Sequence, residues 1–252
     1  MPRYKAPVED ALFLINDVFR VDRYANLPGF ADASSDVIDA VLSEAAKYCE
    51  EVLVPLNRSG DREGCRRHED GRVTTPKGFR EAYKQFVEGG WIGISVPTEF
   101  GGQGLPVILT QLVNEFLSSA NMAFSMYPAL TQGAIAALIA HGTPEQKKIY
   151  LPKLVAGTWT GTMNLTEPHC GTDLGLLRTK AAPQADGSYK ITGTKIFISA
   201  GEHDLAENIV HLVLARIEGA PEGTKGISLF VVPKFLPKED GGIGARNGVA
   251  CG

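Results

Sequence analysis

The hydrophobic pattern of this chain changes period once, near Gly157, and that change limits the folds it can adopt. Before Gly157, apolar residues recur three and four positions apart, as on the buried face of a helix. Ser34 precedes one such run and can cap its N-terminus. The capping-box pattern of Thr143 and Gln146, with Pro144 between them, predicts the start of a last helix that reaches about Ala156. The other predicted helices cover residues 33–56, 76–87, 106–120 and 129–141, and a charged loop is predicted over 57–76.

After Gly157 the apolar residues alternate in twos, which is typical of strands. The β-rich runs cover residues 158–165, 189–199, 208–217 and 226–232. Asp186 and Gly187 lie before the second run and predict a two-residue hairpin turn, because glycine supplies the positive φ. Helices followed by strands, without βαβ alternation, predict an α+β fold. We divide the chain into a leading helical segment (1–32), an all-helical domain (33–157) and a β domain (158–252).

Composition excludes several classes of protein. The 252 residues include 25 basic and 29 acidic ones, so no basic surface for nucleic acid or an anionic membrane is expected. The four cysteines form no C-x-x-C pair, and no metal site is expected. The longest apolar run, 134–140, is far shorter than the ~20 residues that span a bilayer. With no secretory signal after Met1, we expect a cytoplasmic protein without a membrane span.

Two segments of the β region carry groups that could face a ligand. In the first, 163–173, a strand ends in a turn at Gly171, which frees backbone N–H groups from ladder pairing. Thr166 and Thr172 add hydroxyls. An ordinary strand-end turn, with Asp173 capping backbone amides, explains the same residues.

In the second segment, 194–204, an aromatic and a hydroxyl residue alternate with aliphatic ones. The alternation places Phe197 and Ser199 on one face of a predicted strand. That face could lie along a flat heteroaromatic ring, and packing of Phe197 in the core is the alternative. The residue pattern alone leaves both interpretations open.

These segments resemble the acyl-CoA dehydrogenase family. Leu-Thr-Glu-Pro-x-x-Gly-Thr-Asp at 165–173 is similar to the family's flavin and acyl-CoA loop, and Gly-Thr-Lys-Ile-Phe-Ile-Ser-Ala-Gly at 193–201 is similar to its second flavin-contacting strand. Residues 90–104 and 141–154 are similar to further family motifs, in the same order. Gly-Glu-His-Asp-Leu-Ala-Glu-Asn at 201–208 and the leading segment resemble the larger-subunit branch that includes methylmercaptopropionyl-CoA dehydrogenases.

The resemblance implies an FAD enzyme that removes a proton from the α carbon and a hydride from the β carbon of an acyl-CoA, giving a trans-2-enoyl-CoA. Thr166 is implied to hydrogen-bond the flavin ring, and Phe197 and Ser199 to cover and bond its other edge. Thr172, where the family commonly has serine, is implied to contact the CoA substrate as well as FAD. The full set of implied FAD-binding residues is Met163, Leu165, Thr166, Gly171, Thr172, Phe197 and Ser199. An electron-transfer flavoprotein as acceptor and a homo-oligomer follow from the same resemblance.

The resemblance also implies an incomplete fold. Family members place a helical bundle after an antiparallel, β-barrel-like middle domain, and the glutamate that takes the α proton lies in that bundle or in a neighbouring helix. Because the chain stops at Gly252, we expect a truncated β domain, no C-terminal bundle, no catalytic base and no turnover by these residues. Glu202 and Glu207 match no catalytic position, and surface or capping roles are expected for them. The alternatives are a non-catalytic relative that binds flavin or DNA, and a scaffold fragment with poor flavin affinity.

Overall fold

The computed structural model describes residues 4–238 and 240–252. Within them, the first part of the chain is helical and contains a short β-hairpin. The α-helices are α1 (Val8–Phe13), α2 (Ser35–Tyr48), α3 (Val54–Glu63), α4 (Phe79–Glu88), α5 (Val107–Ala120), α6 (Met122–His141) and α7 (Pro144–Val155). π-helical turns at Leu14–Val18 and Cys49–Leu53 extend α1 and join α2 to α3. The hairpin pairs β1 (Arg66–Arg67) with β2 (Val73–Thr74).

The predicted caps are confirmed. Ser34 Oγ accepts a hydrogen bond from the N–H of Val37 at the start of α2. At the start of α7, Thr143 Oγ1 accepts from the Gln146 N–H at 3.2 Å, and Gln146 Oε1 accepts from the Thr143 N–H at 3.0 Å. Both helices therefore begin where the sequence places them.

Two predicted helix boundaries are wrong. Part of the predicted loop is helical, since α3 continues to Glu63. The inward-facing residues of α3 form a narrow stripe of Val54, Leu56 and Gly60, and the stretch is otherwise polar. Helix α6 begins at Met122 rather than near 129, with Pro128 in its interior. Proline usually marks a helix start or break, which explains the late predicted boundary.

The second part of the chain is a sheet built around one long strand. Its strands are β3 (Trp159–Asn164), β4 (Lys180–Pro183), β5 (Tyr189–Thr192), β6 (Asn208–Ile217) and β7 (Ile227–Pro233). They are ordered β3-β6-β4-β5, with β7 also paired to β6. A separate antiparallel pair follows, β8 (Phe235–Pro237) with β9 (Ile243–Arg246). Among the described residues no α-helix follows Val155, so these residues contain no C-terminal bundle.

The order of helices before strands is confirmed, but the sheet is mixed rather than antiparallel. Strand β6 runs parallel to β3 and β4 and antiparallel to β7, while β4 and β5 are antiparallel. Parallel pairing is possible because a long crossover, residues 165–207, connects β3 to β6. The β4–β5 hairpin forms as predicted, with Gly187 at a φ of 83°, but its first flanking pair is Pro183 with Tyr189, so the loop is longer than two residues.

Helices and sheet share one core. Trp159 of β3 and Val210 of β6 belong to the same buried cluster as the helical residues. The leading segment contributes Ala11 and Ile15 to that cluster. The two boundaries between the three predicted domains stay predictions.

Helix α6 has the length and apolar composition of a membrane-crossing helix, with a mean hydropathy of 1.3. The core helix of a soluble protein passes the same test. In this structure α6 packs against α5, α7 and β3 and buries eight of its residues. The expectation that the chain has no membrane span stays a prediction.

Candidate functional site

The two candidate segments lie side by side. We call residues 165–173, which follow β3, the β3 loop, and residues 193–201 the Phe197 segment. The Ile196 N–H donates to the Thr166 carbonyl at 2.9 Å, and Lys195 Nζ donates to the Leu165 carbonyl at 3.0 Å. The tertiary structure thus brings together residues about thirty positions apart in the sequence.

The three hydroxyls predicted to contact a ligand, those of Thr166, Thr172 and Ser199, have no hydrogen-bond partner in the part of the chain that the structure describes. The Thr172 and Ser199 side chains are exposed, and the exposed Thr194 hydroxyl of the Phe197 segment also has no partner there. The Thr166 N–H also lacks a partner among these residues. The capping interpretation holds for Asp173, whose Oδ1 accepts from the Gly175 N–H at 3.1 Å. It does not account for the three hydroxyls, which remain available to a ligand.

Phe197 is the most exposed large apolar residue in the described part of the chain, with 89% of its surface accessible. Core packing of this side chain, the alternative left open above, is therefore wrong. Its φ is 57° and that of Ala200 is 55°, so both lie in the left-handed region that costs an L-residue about 1 kcal/mol or more. A left-handed backbone at an exposed aromatic residue, in a segment that hydrogen-bonds to Thr166, favours a ligand-binding role.

The structure also corrects the predicted strand. Strand β5 ends at Thr192, and the Phe197 segment is irregular. Phe197 and Ser199 therefore do not share a strand face. The cause is the left-handed backbone at Phe197 and Ala200, which breaks the alternation that a strand requires.

The other predicted contacts lie along β3 and its loop. Met163 pairs with Leu212 of β6 and is half-buried, as is Leu165. Gly171 packs against Thr166: a Cβ at this position would lie 3.2 Å from Thr166 Cγ2. That each of the seven residues contacts a cofactor stays a prediction.

Sequence reasoning missed the ion pair of Glu167 and Lys195, although both residues lie in the motifs. Glu167 is buried, and its carboxylate accepts hydrogen bonds from the N–H of Arg178, the N–H and hydroxyl of Thr179, and Lys195 Nζ at 2.9 Å. Burial alone would raise the pKa of Glu167, but the hydrogen bonds from Thr179, Arg178 and Lys195 outweigh it and lower the pKa to about 2. The signal available was one acidic and one basic residue, each at the third position of its nine-residue motif.

Glu167, His169 and Cys170 place possible metal-ligand atoms within 4.8 Å of one another. They do not fit a metal ion, because the Glu167 carboxylate already binds the Lys195 ammonium. His169 Nε2 lies 3.0 Å from the Leu176 carbonyl, so this nitrogen carries a proton and cannot coordinate. The expectation of no metal site stays a prediction.

Of the two roles expected for Glu202, surface exposure is wrong and capping is confirmed. Its side chain is only 4% exposed and forms ion pairs with Lys234 and, at 3.6 Å, with Arg246. It also caps the N–H of His203 at 3.2 Å. Glu207 is exposed, as expected.

Comparisons with known proteins agree with this geometry. Family models match the acyl-CoA dehydrogenase N-terminal domain over residues 35–158 and the middle domain over residues 162–248. The chain is 49% identical to 3-methylmercaptopropionyl-CoA dehydrogenase of Ruegeria pomeroyi over 98% of its length, and 39% identical over 99% to the broad-specificity linear acyl-CoA dehydrogenase FadE5 of Mycobacterium tuberculosis. It spans 42% and 41% of the lengths of these two relatives.

Solved structures show the same fold. An acyl-CoA dehydrogenase from Bacillus anthracis, described as complexed with FAD, superposes with a TM-score of 0.64 at 26% identity, over 81% of this chain and 32% of the other. A structure described as the electron transferring flavoprotein of Acidaminococcus fermentans gives 0.64 at 29% identity, over 79% and 48%. The resemblance read from the motifs is confirmed: the chain belongs to the acyl-CoA dehydrogenase family and contains its N-terminal and middle domains.

Proposed function

We propose that the protein to which these residues belong is an FAD-dependent acyl-CoA dehydrogenase, which oxidises an acyl-CoA to a trans-2-enoyl-CoA. The observation that carries the proposal is the exposed side chain of Phe197, on a left-handed backbone, in a segment that hydrogen-bonds to the backbone of Thr166 and leaves the polar groups of Thr166 unpaired. Membership of the family and the described FAD complex of a relative support it.

The chemistry of the donor set fits a flavin. An isoalloxazine ring needs a flat apolar wall and hydrogen-bond partners along its polar edge. Phe197 offers the wall, and the N–H and hydroxyl of Thr166 and the hydroxyl of Ser199 offer the partners. We propose that the exposed Thr172 hydroxyl, next to Gly171, contacts a phosphate of FAD or of CoA. When bound, FAD would supply the hydride acceptor.

The residues of this chain bind and orient, and none of the buried carboxylates of the β region can take the α proton. Glu167 is ionised, but its carboxylate oxygens already accept four hydrogen bonds, which come from Arg178, Thr179 and Lys195. Glu202 is bound to Lys234. As the family resemblance implies, we propose that the base lies outside the described residues, and we expect no enoyl-CoA formation by these 252 residues with an external electron acceptor.

Partners and location belong to the same proposal. We propose an electron-transfer flavoprotein as acceptor, as the family resemblance implies. A homo-oligomer would cover the exposed apolar side chains of Phe13, Phe19 and Val107. The free cysteines suit a reducing compartment such as the cytoplasm.

The test uses the full-length protein. Apoprotein is titrated with FAD, and the bound flavin is then reduced anaerobically with a panel of acyl-CoAs. We expect a flavin spectrum that bleaches with at least one acyl-CoA, and about tenfold weaker FAD binding in Phe197→Ala, since an aromatic contact and its burial contribute on the order of 1.4 kcal/mol.

The matched control is Tyr189→Ala. Tyr189 is an exposed aromatic residue of β5, and its ring contacts that of Phe230, with the ring centroids 5.1 Å apart. This variant should bind FAD as the unmodified protein does. A full-length protein that cannot be reconstituted with flavin would contradict the proposed function.

A further inference from the structure

Lys195 connects the two segments of the candidate site. Its side chain is 8% exposed, and its ammonium group lies 2.9 Å from Glu167 Oε1 and 3.0 Å from the Leu165 carbonyl. These two residues flank Thr166 on either side. The next residue after the lysine, Ile196, donates its N–H to the Thr166 carbonyl at 2.9 Å.

This arrangement fixes the backbone around Thr166 and leaves free the two groups of Thr166 that are proposed to bind the flavin. Its carbonyl and both neighbours are held from the other segment, while its own N–H and hydroxyl have no partner among the described residues. Two positions beyond Lys195, the backbone enters the left-handed conformation of Phe197. A single ammonium group therefore connects the loop that holds the proposed polar contact to the segment that holds the proposed aromatic contact.

A contribution to the stability of the fold does not explain why Glu167 and Lys195 form a buried ion pair. Removing two charges from water is costly, and a buried ion pair can contribute little net stability. Glu167 would keep its hydrogen bonds to Arg178 and Thr179 without the lysine. A strained residue such as Phe197, in contrast, persists only where the surrounding contacts over-determine its backbone.

We propose that Lys195 is a positioning residue: through Glu167 and the Leu165 carbonyl it fixes Thr166 relative to Phe197, and so sets the affinity and the spectrum of the bound flavin. This inference rests on the proposed function. It assigns no contact between Lys195 and the cofactor.

The test compares full-length Lys195→Met with Lys190→Met, a control at an exposed lysine of β5. In Lys195→Met we expect at least tenfold weaker FAD binding, a shifted visible spectrum of the remaining bound flavin, and faster deuterium uptake in the apoprotein at residues 165–173 and 193–201. The control should change none of the three. Thermal melting of each apoprotein checks that the variant is folded.

Unchanged FAD affinity and unchanged spectrum in a folded Lys195→Met protein would overturn the inference, as would equal losses in Lys190→Met. If Lys195→Met does not melt cooperatively, the same measurements on Lys195→Gln, which keeps a donor without the charge, decide the matter. Deuterium uptake needs no cofactor. Failure of the unmodified protein to bind FAD, with the uptake difference present, would therefore count against the proposed function and not against the connection between the segments.

Discussion

At the scale of single residues, two buried histidines show how the fold sets protonation. His203 Nδ1 accepts from the Leu205 N–H at 3.1 Å, so the proton is on Nε2, which lies 3.0 Å from the Thr160 hydroxyl. His211 Nδ1 lies 2.7 Å from the Thr162 hydroxyl. Burial, and then the charge of Lys234, lower the pKa of His203 to about 3 and that of His211 to about 4.

This predicts a loss of stability in acid. An unfolded histidine titrates near 6.5, so below that pH the unfolded chain binds protons that the folded chain does not. Stability is fully present above pH 6.5 and falls as the pH approaches 4, by on the order of 1 kcal/mol for each unit of pKa shift. Glu167 adds a loss at lower pH, between its unfolded value of 4.5 and about 2.

The measurement is the thermal midpoint of the 252-residue chain between pH 7 and pH 5. His211→Gln should reduce the fall in midpoint over this range, because one of the buried histidines is gone. His141→Gln, at an exposed histidine at the end of α6, should leave the fall unchanged. An identical pH dependence in all three proteins would refute the assignment to buried histidine.

At the scale of elements, one glycine sets the distance between α6 and the sheet. A Cβ on Gly161 of β3 would lie 2.4 Å from the Cβ of Ala134 on α6. The Gly161 N–H also donates to Thr131 Oγ1 of the same helix at 3.1 Å. The helix can approach this closely only because the strand carries no side chain there.

We predict that Gly161→Ala destabilises the 252-residue chain by about 1–3 kcal/mol, the usual cost of overpacking a core. The matched control is Gly133→Ala, on α6 itself, where the added Cβ meets nothing within 4 Å. Alanine favours a helix over glycine, so this variant should gain up to about 1 kcal/mol. Denaturant unfolding measures both changes, and a Gly161→Ala protein at least as stable as the parent would show that the contact is not limiting.

At the scale of the whole molecule, helices and sheet behave as parts of one buried unit. Trp159 of β3 is fully buried, and its ring lies 6.2 Å from that of Tyr150 on α7. Val210 of β6 belongs to the same cluster. The contact between the two halves is therefore core packing.

We predict a single cooperative unfolding transition for the 252-residue chain, because neither half can expose this core alone without cost. The chain has two tryptophans, and Trp91→Phe leaves Trp159 as the only indole probe of the boundary between helices and sheet. Its fluorescence and the far-ultraviolet circular dichroism should change at the same denaturant concentration. Two separate transitions would mean that the halves fold independently.

The sequence by itself determined the features that depend on neighbouring residues. Caps such as Thr143, the change of period near Gly157 and the motifs around Thr166 and Phe197 are local patterns, and each could be recognised without a fold. The family followed from those motifs. The helix boundaries at Glu63 and Met122 were missed because a narrow buried stripe and an internal proline give weak local signals.

Only the tertiary structure decided which distant groups meet. Lys195, which pairs with Glu167, and Lys234, which pairs with Glu202, lie 28 and 32 positions further along the chain than their partners. The direction of β6 relative to β3 depends on the whole crossover that connects the two strands. The exposure of Phe197 likewise follows from a left-handed backbone that its own strand-like sequence does not indicate. Local propensity is set by each residue and its near neighbours, whereas burial, pairing and charge compensation arise only when remote segments pack together.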